Sequence, residues 1–259
     1  MFDTHVHTRF SPDSNLKIGE LIQKSKDEKL GIIITDHYEF GSGKDCFRFN
    51  EKDYFDTLLP LRHERLLTGV EIGLNTLQPE NLLAFLQKHS FDYVLGSIHT
   101  INDQALDQHF FSTHTKQEAY EKYLKHALFC LQAVPSINSF AHFDFISRYA
   151  PYPDPAMEYR QFSDLLDEIF KLLAERETAL EINLRYSHPQ YFSEYQKFYQ
   201  RFKELGGKYV TIGSDAHSPG QIGRNLKTGY ELAAYCSLSP VYFKERSPQF
   251  VHSAQCCAR

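Results

Sequence analysis

The sequence predicts an α/β fold in which seven strand-and-helix units close, or nearly close, into one barrel. Three observations predict it: short apolar runs recur along the chain, stretches of helical period separate them, and 259 residues suit one barrel-sized domain without a second core.

The runs are Phe2 to His5, Gly31 to Thr35, Leu66 to Val70, Tyr93 to Ser97, Ser139 to His142, Ala179 to Asn183 and Tyr209 to Gly213, each short enough to be a buried strand. Between them, Tyr120, Tyr123, Leu124, Ala127, Leu128 and Leu131 fall on one helical face, as do Phe162, Leu165, Leu166, Ile169, Phe170 and Leu173. A third helix carries the aromatic stripe Phe192, Tyr195, Phe198, Tyr199, Phe202 with Leu205, read as core, and stops at Gly206-Gly207, where a left-handed cap is expected. Strands alternating with helices imply parallel pairing, and a doubly wound open sheet satisfies the same pattern. The Pro-rich stretch Ala150 to Pro155 reads as a loop. One domain over 1–248 and a polar tail over 249–259 are expected.

With 42% hydrophobic and 24% charged residues, the chain can bury a substantial core, which excludes disorder. A net charge of -5 and the lack of any Lys/Arg cluster give no footprint for nucleic acid or an anionic membrane, so an anionic substrate must be attracted by something local. The start, Met1 to His5, has no basic-then-apolar leader and no run approaches the length of a membrane span, so the chain reads as cytosolic. Cys46, Cys130 and Cys236 are isolated, and the adjacent Cys256 and Cys257 have no further ligand at metal spacing, so neither a disulfide framework nor a cysteine metal site is expected.

The residues that follow the strands carry the chemistry: His5-Val6-His7, Thr35-Asp36-His37, Glu71, His99, His142 and Ser214-Asp215-Ala216-His217. In a barrel these positions converge on the C-terminal mouth. His-x-His and Asp-x-His place two side chains on the same side of an extended segment, which suits chelation. A donor set of imidazoles and carboxylates suits Mn²⁺, Fe²⁺ or Zn²⁺. The other histidines, His63, His89, His109, His114, His126, His188 and His252, lack this placement and are assigned no chemistry.

The runs Asp3-Thr4-His5-Val6-His7-Thr8, Thr35-Asp36-His37, Gly69-Val70-Glu71, Ser97-Ile98-His99, Ala141-His142-Phe143-Asp144 and Gly213-Ser214-Asp215-Ala216-His217 resemble, in order, the successive motifs of the polymerase-and-histidinol-phosphatase (PHP) family. The resemblance implies a distorted seven-stranded TIM-like barrel, (β/α)7, with a centre of three divalent transition-metal ions. Carried over by position, His5, His7, Glu71 and Asp215 hold one ion, Glu71 bridges to a second that takes His99 and His142, and Asp13, His37 and His217 hold the third. Asp13 stands in Phe10-Ser11-Pro12-Asp13-Ser14, where members carry His or Asp, and it also reads as a turn or cap residue.

Within the family, the spacer from His99 to His142, the stretch His142 to Tyr149, Leu180-Glu181-Ile182-Asn183 and Tyr242 to Pro248 are similar to the histidinol-phosphate phosphatases. That similarity implies a phosphomonoesterase of histidine biosynthesis acting on L-histidinol phosphate. A hydroxide bridging metals, positioned by ligands that include Glu71, Asp215 and His217, would attack phosphorus. Arg148 and Arg185, just beyond the strands that bear His142 and Asn183, are expected to bind the substrate phosphate; the chain departs from many members in reading Leu184-Arg185-Tyr186 there. Alternatives are a PHP-type protein-tyrosine phosphatase or phosphodiesterase, or a catalytically silent metal-binding module. The missing basic surface disfavours a nuclease, and nine filled ligand positions disfavour silence. The expected partner is a small phosphate ester, with no nucleic acid or membrane.

Overall fold

The computed structural model describes residues 1–41, 47–75, 78–185 and 192–251, and the side chain of Phe192 together with Cys46, Tyr186, His188, His252, Cys256 and Cys257 lies outside that description. In chain order the elements are β1 (Phe2–Val6), α1 (Ile18–Glu28), β2 (Gly31–Ile34), β3 (His37–Tyr38), α2 (Glu51–Leu58), β4 (Leu66–Gly73), α3 (Pro79–Lys88), β5 (Tyr93–Ser97), β6 (Thr100–Ile101), β7 (Gln104–Ala105), α4 (Gln108–Ser112), α5 (Lys116–Ala133), β8 (Ser139–Phe140), α6 (Ser163–Glu175), β9 (Ala179–Asn183), α7 (Phe192–Glu204), β10 (Tyr209–Gly213), α8 (Leu226–Tyr235), β11 (Ser239–Lys244) and β12 (Ser247–Phe250).

The seven anticipated strands pair in parallel in the order β1-β2-β4-β5-β8-β9-β10, and β3 adds to β4. The two ends of this sheet come together at the C-terminal end of the strands. There Val6 bridges Ala216, the His7 amide donates to the Ala216 carbonyl at 2.9 Å, and the Thr4 hydroxyl donates to the Ile212 carbonyl at 3.0 Å. At the opposite end β10 pairs instead with β11 through Tyr209–Ser239 and Val210–Pro240. The strand β11 therefore wedges the seam open at one end only, which distorts the TIM-like barrel.

The antiparallel hairpin β11–β12 was not anticipated, because SPVYFK buries only alternate residues and carries Pro and Lys. It stops the lower end of the barrel. Phe243 stacks on Tyr93 with centroids 5.5 Å apart, Tyr242 stacks on Phe2 at 3.7 Å, and the Glu245 amide donates to Asp92 at 2.9 Å. Ile33, Leu67, Tyr93, Leu95, Ala141, Ala179, Val241 and Phe243 form a buried cluster inside the barrel, separate from the larger core between strands and helices. Apolar filling at one end leaves the strands' C-terminal end for polar side chains. The hairpin's last residue, Phe250, lies beyond the boundary at 248 expected between domain and tail.

The helices follow their sequence signals. Thr115 and Glu118 form a capping box at the start of α5, whose Tyr120, Tyr123, Leu124, Ala127 and Leu131 are buried, while Leu128 is half-buried. Phe198, Tyr199 and Phe202 of α7 are buried core. That helix ends as expected: Gly206 has φ 99° and the Gly207 amide returns to the Phe202 carbonyl at 2.9 Å. Four strand ends differ from expectation, two of them by one residue only: β1 runs on to Val6 and β2 stops at Ile34. Strand β4 runs on to Gly73, so Glu71 sits inside it rather than after it, and β8 stops at Phe140, so His142 stands on a loop.

Candidate metal centre

All nine side chains singled out as ligands meet at the C-terminal end of the barrel. Glu71, fully buried, lies at the middle. Its Oε1 faces His142 Nε2 at 2.8 Å and His99 Nε2 at 3.2 Å, while its Oε2 faces His37 Nδ1 at 2.8 Å, His5 Nε2 at 3.4 Å and His7 Nε2 at 3.5 Å. Asp215 Oδ1 lies 3.7 Å from His5, 3.5 Å from His7 and 3.4 Å from His217. Asp13, half-exposed at the rim, puts Oδ2 3.5 Å from His37 and 3.2 Å from His217. Asp215 adopts φ 53°, a left-handed conformation that Asp tolerates better than most residues. Ser214 beside it is fixed by Asp3, which accepts its amide at 2.9 Å and its hydroxyl at 2.6 Å.

The ring nitrogens are oriented by residues that the sequence reading did not assign. His5 Nδ1 donates to Glu181 Oε1 at 2.6 Å, and His99 Nδ1 to Glu39 Oε1 at 2.5 Å. The Ser11 hydroxyl donates to the acceptor-only carboxylate of Asp36 at 2.7 Å, so it must accept from His7 Nδ1 at 3.1 Å. Each of these contacts leaves the Nε2 lone pair of its imidazole facing the centre, the arrangement by which a carboxylate behind a histidine fixes its tautomer. Two glycines make room for the carboxylates: a Cβ on Gly213 would lie 2.6 Å from Glu181 Oε1, and one on Gly73 would overlap the Glu39 carboxylate. The available signals were a charged residue within an apolar strand, for Glu181, and the same-side spacing of Glu39 from His37.

The donor set fits divalent metal. Five overlapping groups, each of three His or carboxylate residues with ligand atoms within 4.8 Å of one another, are found among the described residues. His37 Nδ1 and Glu71 Oε2 approach closely without hydrogen-bond geometry, and both, like His142 Nδ1, are buried polar atoms with no hydrogen-bond partner. The electrostatics ask for cations. Burial alone would raise the Glu71 carboxyl, but His37, His5 and His99 outweigh it and hold it well below its usual range. Asp215 is likewise held low against burial, by His5, His7 and Arg148. His37, in spite of burial, is pushed up to about 10, chiefly by Glu71 and Asp13. Positive charge wanted between buried carboxylates is supplied by protons or by metal ions, which displace them.

A cavity of about 240 Å³ opens onto this cluster. Arg148 and Arg185 line it beside Asp13, His37, Glu71, His99, His142 and Asp215, and Phe47, Leu106 and Phe145 form an apolar wall. Arg148 donates to Asp215 Oδ2 at 2.9 Å, and Arg185 to Asp215 Oδ1 at 3.1 Å. The described histidines left without chemistry lie elsewhere: His89 pairs with Glu51, His114 stacks on Phe110, and His126 touches Cys130.

Residues 3–185 match the model of the PHP domain family. A probable histidinol-phosphatase of Clostridium acetobutylicum is 41% identical over 249 residues, covering 95% of this chain and 98% of the relative. A histidinol-phosphatase of Lactococcus lactis is 33% identical over 228 residues, with 83% of each chain covered. Among solved structures, histidinol phosphate phosphatase from Lactococcus lactis, complexed with zinc, L-histidinol and phosphate, superposes with a TM-score of 0.90 at 29% identity, covering 96% of this chain and 98% of that one.

Proposed function

The chain belongs to the PHP domain family, and from that membership we propose that it is a metal-dependent phosphomonoesterase that converts L-histidinol phosphate to L-histidinol and phosphate. The observation that carries the reading is the convergence of six imidazoles and three carboxylates at the barrel mouth, beside a small cavity that His37, His99, His142 and two arginines line. The zinc, histidinol and phosphate bound by the Lactococcus lactis structure support the same substrate. A cytosolic place in histidine biosynthesis accompanies this reading, and no described helix is long and apolar enough to cross a membrane.

In this reading His5, His7, Glu71 and Asp215 would hold one divalent ion, Glu71 with His99 and His142 would hold a second, and Asp13, His37 and His217 would hold a third. Bound Mn²⁺, Fe²⁺ or Zn²⁺ would supply Lewis acidity toward the phosphoryl oxygens and toward water. The chain's own side chains do the rest. Glu181, Glu39 and Ser11 hold the imidazoles in the tautomer that presents Nε2. Arg148 and Arg185 offer guanidinium donors to phosphate oxygens, and Phe47, Leu106 and Phe145 exclude bulk water from one side.

A steady-state comparison of histidinol phosphate, phosphotyrosine and a simple phosphodiester, with one metal-loaded preparation, tests the proposal. The highest kcat/KM is expected for histidinol phosphate. Equal or better turnover of either competitor would overturn the substrate assignment. Replacing Arg148 or Arg185 by Ala is expected to cost about 2–4 kcal/mol in kcat/KM, with metal content unchanged, because a charge-assisted contact to a desolvated anion is lost. Lysine should rescue only in part, since it restores charge without the planar fork.

A further inference from the structure

Asn183, the last residue of β9, uses its whole hydrogen-bonding capacity within the site. Its Nδ2 donates to Glu181 Oε2 at 3.1 Å and to Asp215 Oδ2 at 3.3 Å. Its Oδ1 accepts from Arg148 Nη2 at 2.9 Å and from the Arg185 amide at 3.1 Å. Two donors and two acceptors satisfy a side-chain amide completely and fix which end is oxygen. Glu181, in turn, accepts from His5 Nδ1 at 2.6 Å and from the His142 amide at 2.9 Å. One continuous hydrogen-bonded chain therefore runs from His5 and His142, through Glu181 and Asn183, to both arginines of the cavity.

We infer that Asn183 is the positioning residue of the phosphate-binding arginines, holding the Arg148 guanidinium and the backbone of Arg185 at a set distance from the imidazole cluster. The inference rests on the reading of Arg148 as a phosphate ligand. The chemical choice of an amide has a reason. The Arg148 side chain, only 6% exposed, already faces one carboxylate, Asp215, at 2.9 Å. A second carboxylate at 183 would hold the guanidinium as an ion pair and compete with the incoming phosphate for it. It would also stand against Glu181 and Asp215 with like charge. A neutral amide fixes the guanidinium through an ordinary acceptor and leaves its charge for the substrate.

The test measures kcat, KM and competitive inhibition by inorganic phosphate, together with metal content and thermal midpoint, for Asn183→Ala, Asn183→Asp, Arg148→Ala and the Arg148→Ala/Asn183→Ala double variant. Asn183→Ala is expected to lower kcat/KM, and to weaken phosphate inhibition, by about tenfold or more at unchanged metal content, the scale of a lost hydrogen bond to a charged group. Asn183→Asp keeps the size and the acceptor, yet it should also weaken phosphate inhibition. In the Arg148→Ala background, adding Asn183→Ala should cost clearly less than it does in the wild type, because the part of its effect that runs through Arg148 is already lost and only the support of the Arg185 backbone remains. Near wild-type kinetics for Asn183→Ala beside a damaged Arg148→Ala would overturn the inference alone, as would fully additive losses in the double variant. Near wild-type kinetics for Arg148→Ala would remove the arginine reading and this inference with it. If Asn183→Ala fails to fold, wild-type phosphate inhibition in Asn183→Asp is the outcome that overturns it.

Discussion

Glu71→Gln is expected to lower kcat by about a thousandfold or more at saturating metal, close to 4 kcal/mol of transition-state stabilisation. The two carboxylate oxygens of Glu71 face different imidazoles: one side meets His142 and His99, and the other meets His37, His5 and His7. An amide has nearly the same shape, so packing around this fully buried position is preserved. One of its two ends, however, becomes an NH₂ group with no lone pair, turned toward imidazole nitrogens that need a cation between them. A carboxylate shared between two ions would thus lose one of them, and elemental analysis should find fewer metal ions per chain. His37→Ala is the comparison, because His37 with Asp13 and His217 would serve only the third ion. Its expected cost is roughly 10- to 100-fold, nearer to that of removing a supporting contact at a metal site. Small and equal losses in the two variants would show that Glu71 is not shared.

Chelation should abolish turnover entirely and lower the thermal midpoint. Six imidazoles and three carboxylates, all but Asp13 largely buried, are held together at the cost of like-charge contacts and orphaned polar atoms, among them His37 Nδ1, Glu71 Oε2 and His142 Nδ1. Cations remove both costs in the folded state only, since the unfolded chain does not gather the nine ligands. Each ion held at a hundred times its Kd stabilises the fold by about 2.7 kcal/mol. At about 2–4 °C per kcal/mol for a chain of this size, removing one such ion lowers the midpoint by about 5–10 °C. Differential scanning calorimetry before and after chelation, with readdition of a single metal, measures this directly. Full activity in a preparation shown to hold no transition metal would sink the mechanism.

Much of the fold and of the candidate site was legible because the signals are local. A strand of four or five apolar residues followed by His, Asp or Glu is visible in any ten-residue window, and Asp-x-His or His-x-His declares its own geometry, since alternate residues of an extended chain point the same way. The eight ligand candidates His5, His7, His37, Glu71, His99, His142, Asp215 and His217 chosen on that basis do lie together, and Asp13, which only the family resemblance supplied, stands at their rim. The stretches read too simply were those in which tertiary contact overrides local pattern. Strand β4 runs through Glu71 because neighbours on both sides pair with it there, His37 with Glu71 and Glu71 with Leu95. The β11–β12 hairpin is held by Tyr93, Phe2 and Asp92 rather than by its own apolar periodicity.

The sequence by itself determined which residue types stand at the strand ends, in what order, and hence the kind of chemistry the barrel mouth can support. Only the tertiary structure decided how those groups are aimed. His5 takes its orientation from Glu181, 176 positions away, and His99 from Glu39, 60 positions away. Both arginines are gathered on Asp215, on the loop after β10, and on Asn183, the last residue of β9. The physical reason is range. Side-chain type and spacing are properties of a short segment, whereas the pairing that fixes an imidazole tautomer or a guanidinium plane exists only once the sheet has curled and brought β1, β9 and β10 side by side.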